Sequence, residues 1–528
     1  MNGLLVVVLL GLAILVAGVL SKQARVPLPI FAIVVGAVVG LIPGIADAVT
    51  IPPEILLTVF VPALLYWESL NTSLREIRRN WAVIASLSVG LVLATAGVVT
   101  LIGRAFGMTW TSALLLGAVL APTDATAVGF VLRRLPRRIR TVLRTEGLIN
   151  DGTALVLYGV AVSAAADGRG VSFGSVAVQF AYSYIAAVAI GVVVGFLAVL
   201  ARLLIRGDRL LNSTISVLTP FAAFIVAEKI DVSGVVAVVT AGLLLSQIGP
   251  HVITASMRSQ SFGFWQLTTF LLSSTLFVVI GVQAGIVFTN DGPSTMQATV
   301  IGIACACALI ALRIAWVSVT PFTLRLTRQP GPIAPVTQRQ RLPLSWAGFR
   351  GAVSLAAALS IPTTTAAGDP LLGRDVIIST TIAVILLTLV VLGPSMLGVI
   401  RYARYAGDDD ERIEDLLAQR STVEAALHDL PEASSRLHTR TEAVNDLRTR
   451  MEDLLAGIRR QQETQHDAEP RTATAEERAL ELALIPSQRT ALFKLRRQRL
   501  IDDVILRRQQ GRLDRNELRL RDETEDDQ

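Results

Sequence analysis

Four short stretches of this chain put polar and charged side chains inside apolar surroundings, and the chemistry open to them is ion handling. In "RTEGLINDGTALVLY", residues 144–158, Glu146, Asn150 and Asp151 enter an apolar run that continues to Ala166. A charge at mid-bilayer costs roughly 2.5–3.5 kcal/mol on insertion scales, so it faces a cavity or a partner and marks a pathway. The competing interpretation is an interfacial helix start with Asn150 or Asp151 as its cap. In "LLLGAVLAPTDATAVGFVL", Pro122 removes a backbone donor in mid-span, with Thr123, Asp124 and Thr126 beside it. An interruption at membrane depth is tolerated where it lines a cavity, and its freed carbonyls and half-helix ends can meet an ion. The plainer alternative is a proline kink with Asp124 buried against a partner. "PLSWAGFRGAVSLAAALSIP" mirrors this pattern: Gly348, Arg350 and Gly351 break an apolar helix, and Arg350 is a cation at depth.

The fourth stretch, "IGIACACALIALRIAWVSVT", carries Arg313 among apolar neighbours. A guanidinium stays protonated, so it needs a carboxylate nearby. The available intramembrane carboxylates are Asp124, Glu146, Asp151 and Glu228, with Glu68 near an edge. Glu146 and Asp151 are five residues apart, about 140° around a 3.6-residue helix, so they cannot both face one cleft squarely. One carboxylate can then be neutralised by an arginine and hold the helix, while an unpaired aspartate exchanges a proton.

Holding such groups at depth requires helices that cross a bilayer. The chain is 52% hydrophobic and 17% charged, against roughly 25% charged in soluble domains. Apolar residues fill the region up to about Ile400 and charged residues crowd the remainder. Two parts are expected: a polytopic transmembrane domain, 1–401, and a polar cytosolic tail, 402–528. A spanning helix needs about 20 apolar residues. That template predicts about thirteen transmembrane helices, at 3–20, 28–45, 52–68, 81–102, 110–132, 142–166, 174–203, 213–229, 233–248, 264–288, 298–322, 343–361 and 374–400. The first has no Lys or Arg before it and no small-residue cleavage site after it, so it reads as a retained helix. The two interruptions fall in the second-to-last helices of two three-helix sets, entered from opposite sides, as an inverted repeat would give.

The loops alternate in charge. "SKQAR", "REIRRN" and "RRLPRRIRTVLR" fall on one side, whereas "IPGIADAVTIPPE" and "TNDGPSTMQ" on the other are poor in basic residues. The positive-inside rule then puts the N-terminus outside and the C-terminus in the cytoplasm, and an odd number of spans agrees in placing the two termini on opposite sides. The tail alternates acidic and basic blocks with Leu and Ala at helical spacing, predicting amphipathic helices around a linker at "HDAEPRTATAEE". It is read as a solvated helical tail that packs on itself or its twin, with a regulatory role as the alternative.

Several classes are excluded or disfavoured. The net charge of +6 is carried by loop arginines where the membrane rule expects them, so no nucleic-acid partner is expected. No GxSxG, HExxH or Gly-rich phosphate loop appears, so the chain is not read as an enzyme; nor is there a TVGYG-like filter. His251, His428, His438 and His466 are scattered, and Cys305 and Cys307 point to separate sides of one helix. No cofactor, resident metal cluster or disulfide is expected. A secondary transporter is the leading class, ahead of a cation channel or a transport-dead sensor.

These residues also resemble a known family. "EGLINDGTALVLY" resembles the ExxxxND helix of sodium/proton exchangers in the monovalent cation:proton antiporter-1 family, "APTDATAV" their interrupted TDPxAV helix, and "WAGFRGAVSLAAALSIP" their GLRGAVSLALAL segment. "FVPALLYWESL", "AEKIDVSGVVAVVTAGLLLS" and "STLFVVIGVQ" match further family stretches in the same order, covering roughly 1–400, and the tail from "LIPSQRTALFKLRRQRL" onward resembles that of bacterial members.

The resemblance implies an all-α inverted-repeat antiporter fold with two crossing broken helices, a mobile core and a dimerisation domain, normally a homodimer. It implies that Asp151 binds proton or cation in turn with Asn150 beside it, and that Asp124 and the Thr123 carbonyl line the same site. Glu146 would pair with Arg313, and Arg350 would balance Asp124 and the broken-helix ends. The implied function is exchange of Na+, and Li+, for H+ across the cytoplasmic membrane by alternating access, serving pH homeostasis. With asparagine rather than a second aspartate at position 150, one proton per cation is expected, an electroneutral ratio. A K+(Na+)/H+ antiporter with a regulatory tail is the rival within the class. The chain departs from the family pattern at Ala125, Gly147 and Phe349.

Overall fold

A computed structural model describes residues 2–24, 27–42, 52–124, 135–167, 173–205, 208–289, 293–326, 337–364, 371, 373–404, 409–463 and 475–525. Ala125 and Thr126, and most of the expected linker at 466–477, lie outside the described residues. In chain order the helices are α1 (Asn2–Ala24), α2 (Leu28–Gly40), α3 (53–70), α4 (Leu74–Arg79), α5 (Trp81–Ala105), α6 (Trp110–Leu120), α7 (Arg137–Asp167), α8 (Phe173–Leu204), α9 (Arg209–Glu228) and α10 (Gly234–Val252). They continue with α11 (Ala255–Thr289), α12 (Pro293–Leu326), α13 (Gln338–Trp346), α14 (Ala352–Leu359) and α15 (Arg374–Ala403). A further four, α16 (Asp409–Leu437), α17 (Thr441–Glu463), α18 (Ala475–Arg497) and α19 (Asp503–Glu525), make up the tail.

Among the described residues, seven helices are long and apolar enough to cross a bilayer, and four further apolar helices are 10–17 residues long. The expected thirteen crossings are therefore not reached on length and apolarity alone. The difference has physical causes. The helix expected at 142–166 begins at Arg137 and carries six charged residues through Asp151, among them Arg144, Glu146 and Asp151. The spans expected at 110–132 and 343–361 are interrupted: α6 stops at Leu120, before Pro122, and α13 and α14 are separated by the non-helical residues Ala347–Gly351. Pro122 has no N–H to donate to the helical ladder, so the helix cannot carry its hydrogen bonds through that position.

Apolar packing forms two large clusters in the membrane part. One gathers buried residues of α1, α2, α5, α6, α7, α11, α12 and α15, and the other those of α3, α7, α8, α9 and α10. The tightest crossing joins α2 to α11, through Gly36 and Gly40 on one helix and Gly281 and Gly285 on the other. A Cβ on Gly281 would stand 2.1 Å from the Ile33 carbonyl oxygen, and one on Gly36 2.2 Å from that of Val278. Only glycine lets the two backbones meet there. Long rows of exposed Leu, Val and Ile on α1 and α8 face outward, as lipid requires.

The tail helices bury apolar residues among themselves. They also dock on one end of the membrane bundle, the end holding the C-terminus of α3, helix α4 and the N-terminus of α11. Arg258 of α11 forms a two-pronged bond to Asp514 of α19 at 2.7 and 2.6 Å. Arg496 of α18 pairs with Asp503 of α19 at 2.7 Å and also reaches Gln247 of α10.

Candidate functional site

The two interruptions meet. The backbone N–H of Asp124 donates to the Phe349 carbonyl at 2.9 Å, which ties one break to the other. The Ala352 N–H, at the start of α14, donates to Asp124 Oδ2 at 3.3 Å. A helix N-terminus carries unsatisfied donors and a positive dipole end, so it suits a carboxylate. Gly351 permits this approach, because a Cβ there would lie 1.9 Å from Asp124 Oδ2. Arg350 donates to the Leu120 carbonyl at 2.7 Å and to that of Gly348 at 3.2 Å. Its guanidinium thus satisfies carbonyls that the ends of both broken helices leave without a ladder partner.

On α7, Glu146 and Arg313 of α12 form a buried ion pair, Nη1 to Oε1 at 2.5 Å and Nη2 to Oε2 at 2.8 Å. Arg313 Nε donates as well to the Leu344 carbonyl at 3.0 Å. The pair is linked onward to the first break. Thr123 Oγ1 donates to Glu146 Oε1 at 3.2 Å, and Asn150 Nδ2 donates to Thr123 Oγ1 at 2.5 Å. A single π-helical turn in α5, Ser86–Gly90, encloses the pair from outside. Ser88 donates to the Glu146 carbonyl at 3.3 Å, and Trp316, three residues beyond Arg313, donates to Ser86 at 3.2 Å.

Asp151 stands on a different side of α7. Among the described residues its carboxylate has no hydrogen-bond or ion-pair partner, and it opens on a cavity of about 50 Å³, room for a few water-sized species. Glu68, Thr123, Asp124, Asp151 and Ser273 supply the cavity's polar lining. One wall is built from the intact helices α3 and α11, and the other from the first break, α7 and α14. Among the described residues no three His, Cys, Asp or Glu side chains converge tightly enough to cage a metal ion. Three carboxylates nevertheless line one small, mostly apolar space. Their charge must be offset there by a proton or a cation, since uncompensated buried charge is costly. The arrangement can therefore hold one or the other.

The structure brings Asp151, Asp124 and Thr123 to the cavity, puts Asn150 directly behind it, and sets Glu146, Arg313 and Arg350 in the supporting frame. Sequence reasoning left Glu68 at a span edge and gave no role to Ser273, Ser88 or Trp316. The available signal for Glu68 was that it is the one acidic residue in the apolar run "VPALLYWESL".

The sequence profile of the family described as "Sodium/hydrogen exchanger, transmembrane" matches residues 10–399. An uncharacterised Na+/H+ exchanger of Mycobacterium tuberculosis is 42% identical over 530 residues, covering 98% of this chain and 96% of that one. A sodium, potassium, lithium and rubidium/H+ antiporter of Bacillus pumilus is 28% identical over 463 residues, covering 83% of this chain and 68% of that one. Among solved structures, the sodium proton antiporter MjNhaP1 from Methanocaldococcus jannaschii is similar with a TM-score of 0.58 at 15% identity, over 76% of this chain and 99% of that one. That last likeness is one of fold.

Proposed function

The chain belongs to the sodium/hydrogen exchanger family, the monovalent cation:proton antiporter-1 family, and on that premise we propose that it exchanges Na+ for H+ with Asp151 as the carboxylate that takes the two in turn. The observation that carries the reading is the contrast between two carboxylates on one helix. Glu146 is consumed by Arg313, whereas Asp151 faces the cavity with no partner among the described residues. Asp124, Thr123 and Glu68 surround the same space and offer a small, hard cation the oxygen ligands it prefers. Proton and cation compete for one site, so exchange follows without a second binding centre.

In the proposal Asn150 contributes no charge, and the exchange is electroneutral, one proton per cation. Li+ is carried as well as Na+. Alternating access arises from the broken-helix wall moving against the α3–α11 wall, in a multi-pass protein of the cell membrane acting as a homodimer. The N-terminus lies outside and the tail in the cytoplasm, in keeping with the basic loops at the tail's end of the bundle. Potassium is the second reading, favoured by the range of cations in the name of the Bacillus pumilus relative.

The test is dye dequenching in proteoliposomes with Na+, Li+ and K+ over several pH values, at matched amounts of folded protein. Asp151→Asn is expected to abolish exchange with every cation, and full activity would remove Asp151 from the mechanism. In the same vesicles, a wild-type flux that changes with imposed membrane potential would exclude the one-to-one ratio.

A further inference from the structure

We propose that Arg507, in the tail, is a positioning residue for the cavity carboxylate Glu68. The proposal rests on the reading that the cavity holds the transported ion. Glu68 sits in the last turn of α3, where a helix leaves its final carbonyls without ladder partners. Their occupants can be traced one by one. The Asn71 N–H is shared between the Trp67 and Glu68 carbonyls at 3.2 and 3.1 Å; the first also accepts from the Asn71 side-chain amide at 2.9 Å, and the second from the Thr72 hydroxyl at 2.7 Å. The Ser69 carbonyl accepts from the Thr72 N–H at 3.2 Å. The last two are taken by one guanidinium from a distant part of the chain: Arg507 donates to Leu70 O at 3.2 Å and to Asn71 O at 2.8 Å. The end of the helix that carries Glu68 is thus closed by the tail. A cation at a helix C-terminus is also favoured by the helix dipole.

The junction is held from both sides. Arg75 of α4 donates to the carbonyls of Ile501 and Arg499, just before α19, at 2.7 and 2.6 Å. Ser73, which caps α4, donates to Asp503 at 3.1 Å. Further along α19, Asp514 grips Arg258 at the start of α11. Helix α19 therefore bridges the two helices, α3 and α11, that make the intact wall of the cavity. Arg507 is the link placed two to three residues from the Glu68 backbone.

The experiment is a kinetic one in proteoliposomes with the full-length chain, using Na+ as the probe. Arg507→Ala is expected to raise the apparent KM for Na+ about tenfold, with the maximal rate within about twofold of wild type, because a displaced ligand weakens binding. Arg507→Lys keeps the charge but reaches one carbonyl at a time, and should fall between. In a Glu68→Gln background, Arg507→Ala should add less than about twofold to the KM, since its effect passes through Glu68. A merely structural Arg507 would lower the yield of folded protein and leave KM unchanged at matched amounts. That result, or an undiminished effect of Arg507→Ala in the Glu68→Gln background, overturns the inference. Should Arg507→Ala yield no monodisperse protein, a wild-type KM in Arg507→Lys overturns it instead. Wild-type exchange in both Glu68→Gln and Asp151→Asn would defeat the cavity reading itself. Impaired exchange in those two, with KM unmoved in Arg507→Ala, defeats only the role of the tail.

Discussion

Removing one member of the Glu146–Arg313 pair while leaving the other in place perturbs the frame of the site without touching its cavity. The two side chains are only 2% and 3% exposed, and the guanidinium meets both carboxylate oxygens at 2.5 and 2.8 Å. In Arg313→Met, the Glu146 carboxylate keeps the Thr123 hydroxyl at 3.2 Å as its side-chain donor among the described residues. In Glu146→Gln, Arg313 keeps the Leu344 carbonyl at 3.0 Å and gains a neutral amide in place of the carboxylate. Either single change leaves one buried charge uncompensated, which costs about 3–5 kcal/mol. Independent effects would sum to roughly 6–10 kcal/mol in the double variant. Removing both charges together leaves nothing to desolvate, so the double variant should lie near the milder single. The assay is unfolding in detergent followed by tryptophan fluorescence, with the four proteins ranked by their midpoints. A double variant as damaged as the two singles summed would refute the pairing as an energetic unit.

Two further substitutions probe the crossing of the broken helices. Gly351→Ala must displace the Asp124 carboxylate, because the new Cβ would lie 1.9 Å from Oδ2; vesicle exchange should fall at least about tenfold while the folded yield holds, and an unchanged rate would show that Asp124 need not stand there. Thr123→Val keeps the volume but removes the hydroxyl joining Asn150 to Glu146, so it should cost about 1–3 kcal/mol of stability and raise the apparent KM for Na+; a wild-type melting curve and KM would argue against that link.

Where the backbone itself announces an irregularity, the sequence was readable. Pro122 predicts a break, and α6 ends two residues before it. Gly348 and Gly351 predict another, and the chain is non-helical from Ala347 to Gly351. A buried arginine likewise announces a need for a carboxylate, but the residues alone do not say which: Asp124, Glu146, Asp151 and Glu228 all qualified, the family resemblance pointed to Glu146, and the packing of α7 against α12 makes that contact. The resemblance implied Asp124 and the broken-helix ends as the targets of Arg350, but the particular carbonyls, Leu120 and Gly348, leave no mark in the sequence, since backbone carbonyls at helix ends are present everywhere. Glu68 was hidden because apolar counting places it at a span edge, whereas α3 reaches the cavity after a π-helical turn at Leu56–Phe60 that alters its register. Arg507 was the least visible. It is one of many arginines in a charged tail, and only the tertiary docking distinguishes it from its neighbours.

The direction of the hydrogen bonds explains why position 150 carries an amide. Glu146, charged and engaged with Arg313, can only accept, so the Thr123 hydroxyl must donate its proton to it. The Thr123 oxygen is then left to accept, and Asn150 must turn its NH2 toward it, as observed at 2.5 Å. That choice leaves Asn150 Oδ1 buried with no partner among the described residues, one residue before the carboxylate that opens on the cavity. An ionised aspartate at this position would have no N–H to offer Thr123, so the chain of bonds would fail at its last joint. The ion pair one turn earlier therefore constrains the charge of the site: with Arg313 neutralising Glu146 and Thr123 passing the donor requirement along, position 150 contributes a neutral side chain and Asp151 carries the negative charge of the Asn-Asp pair.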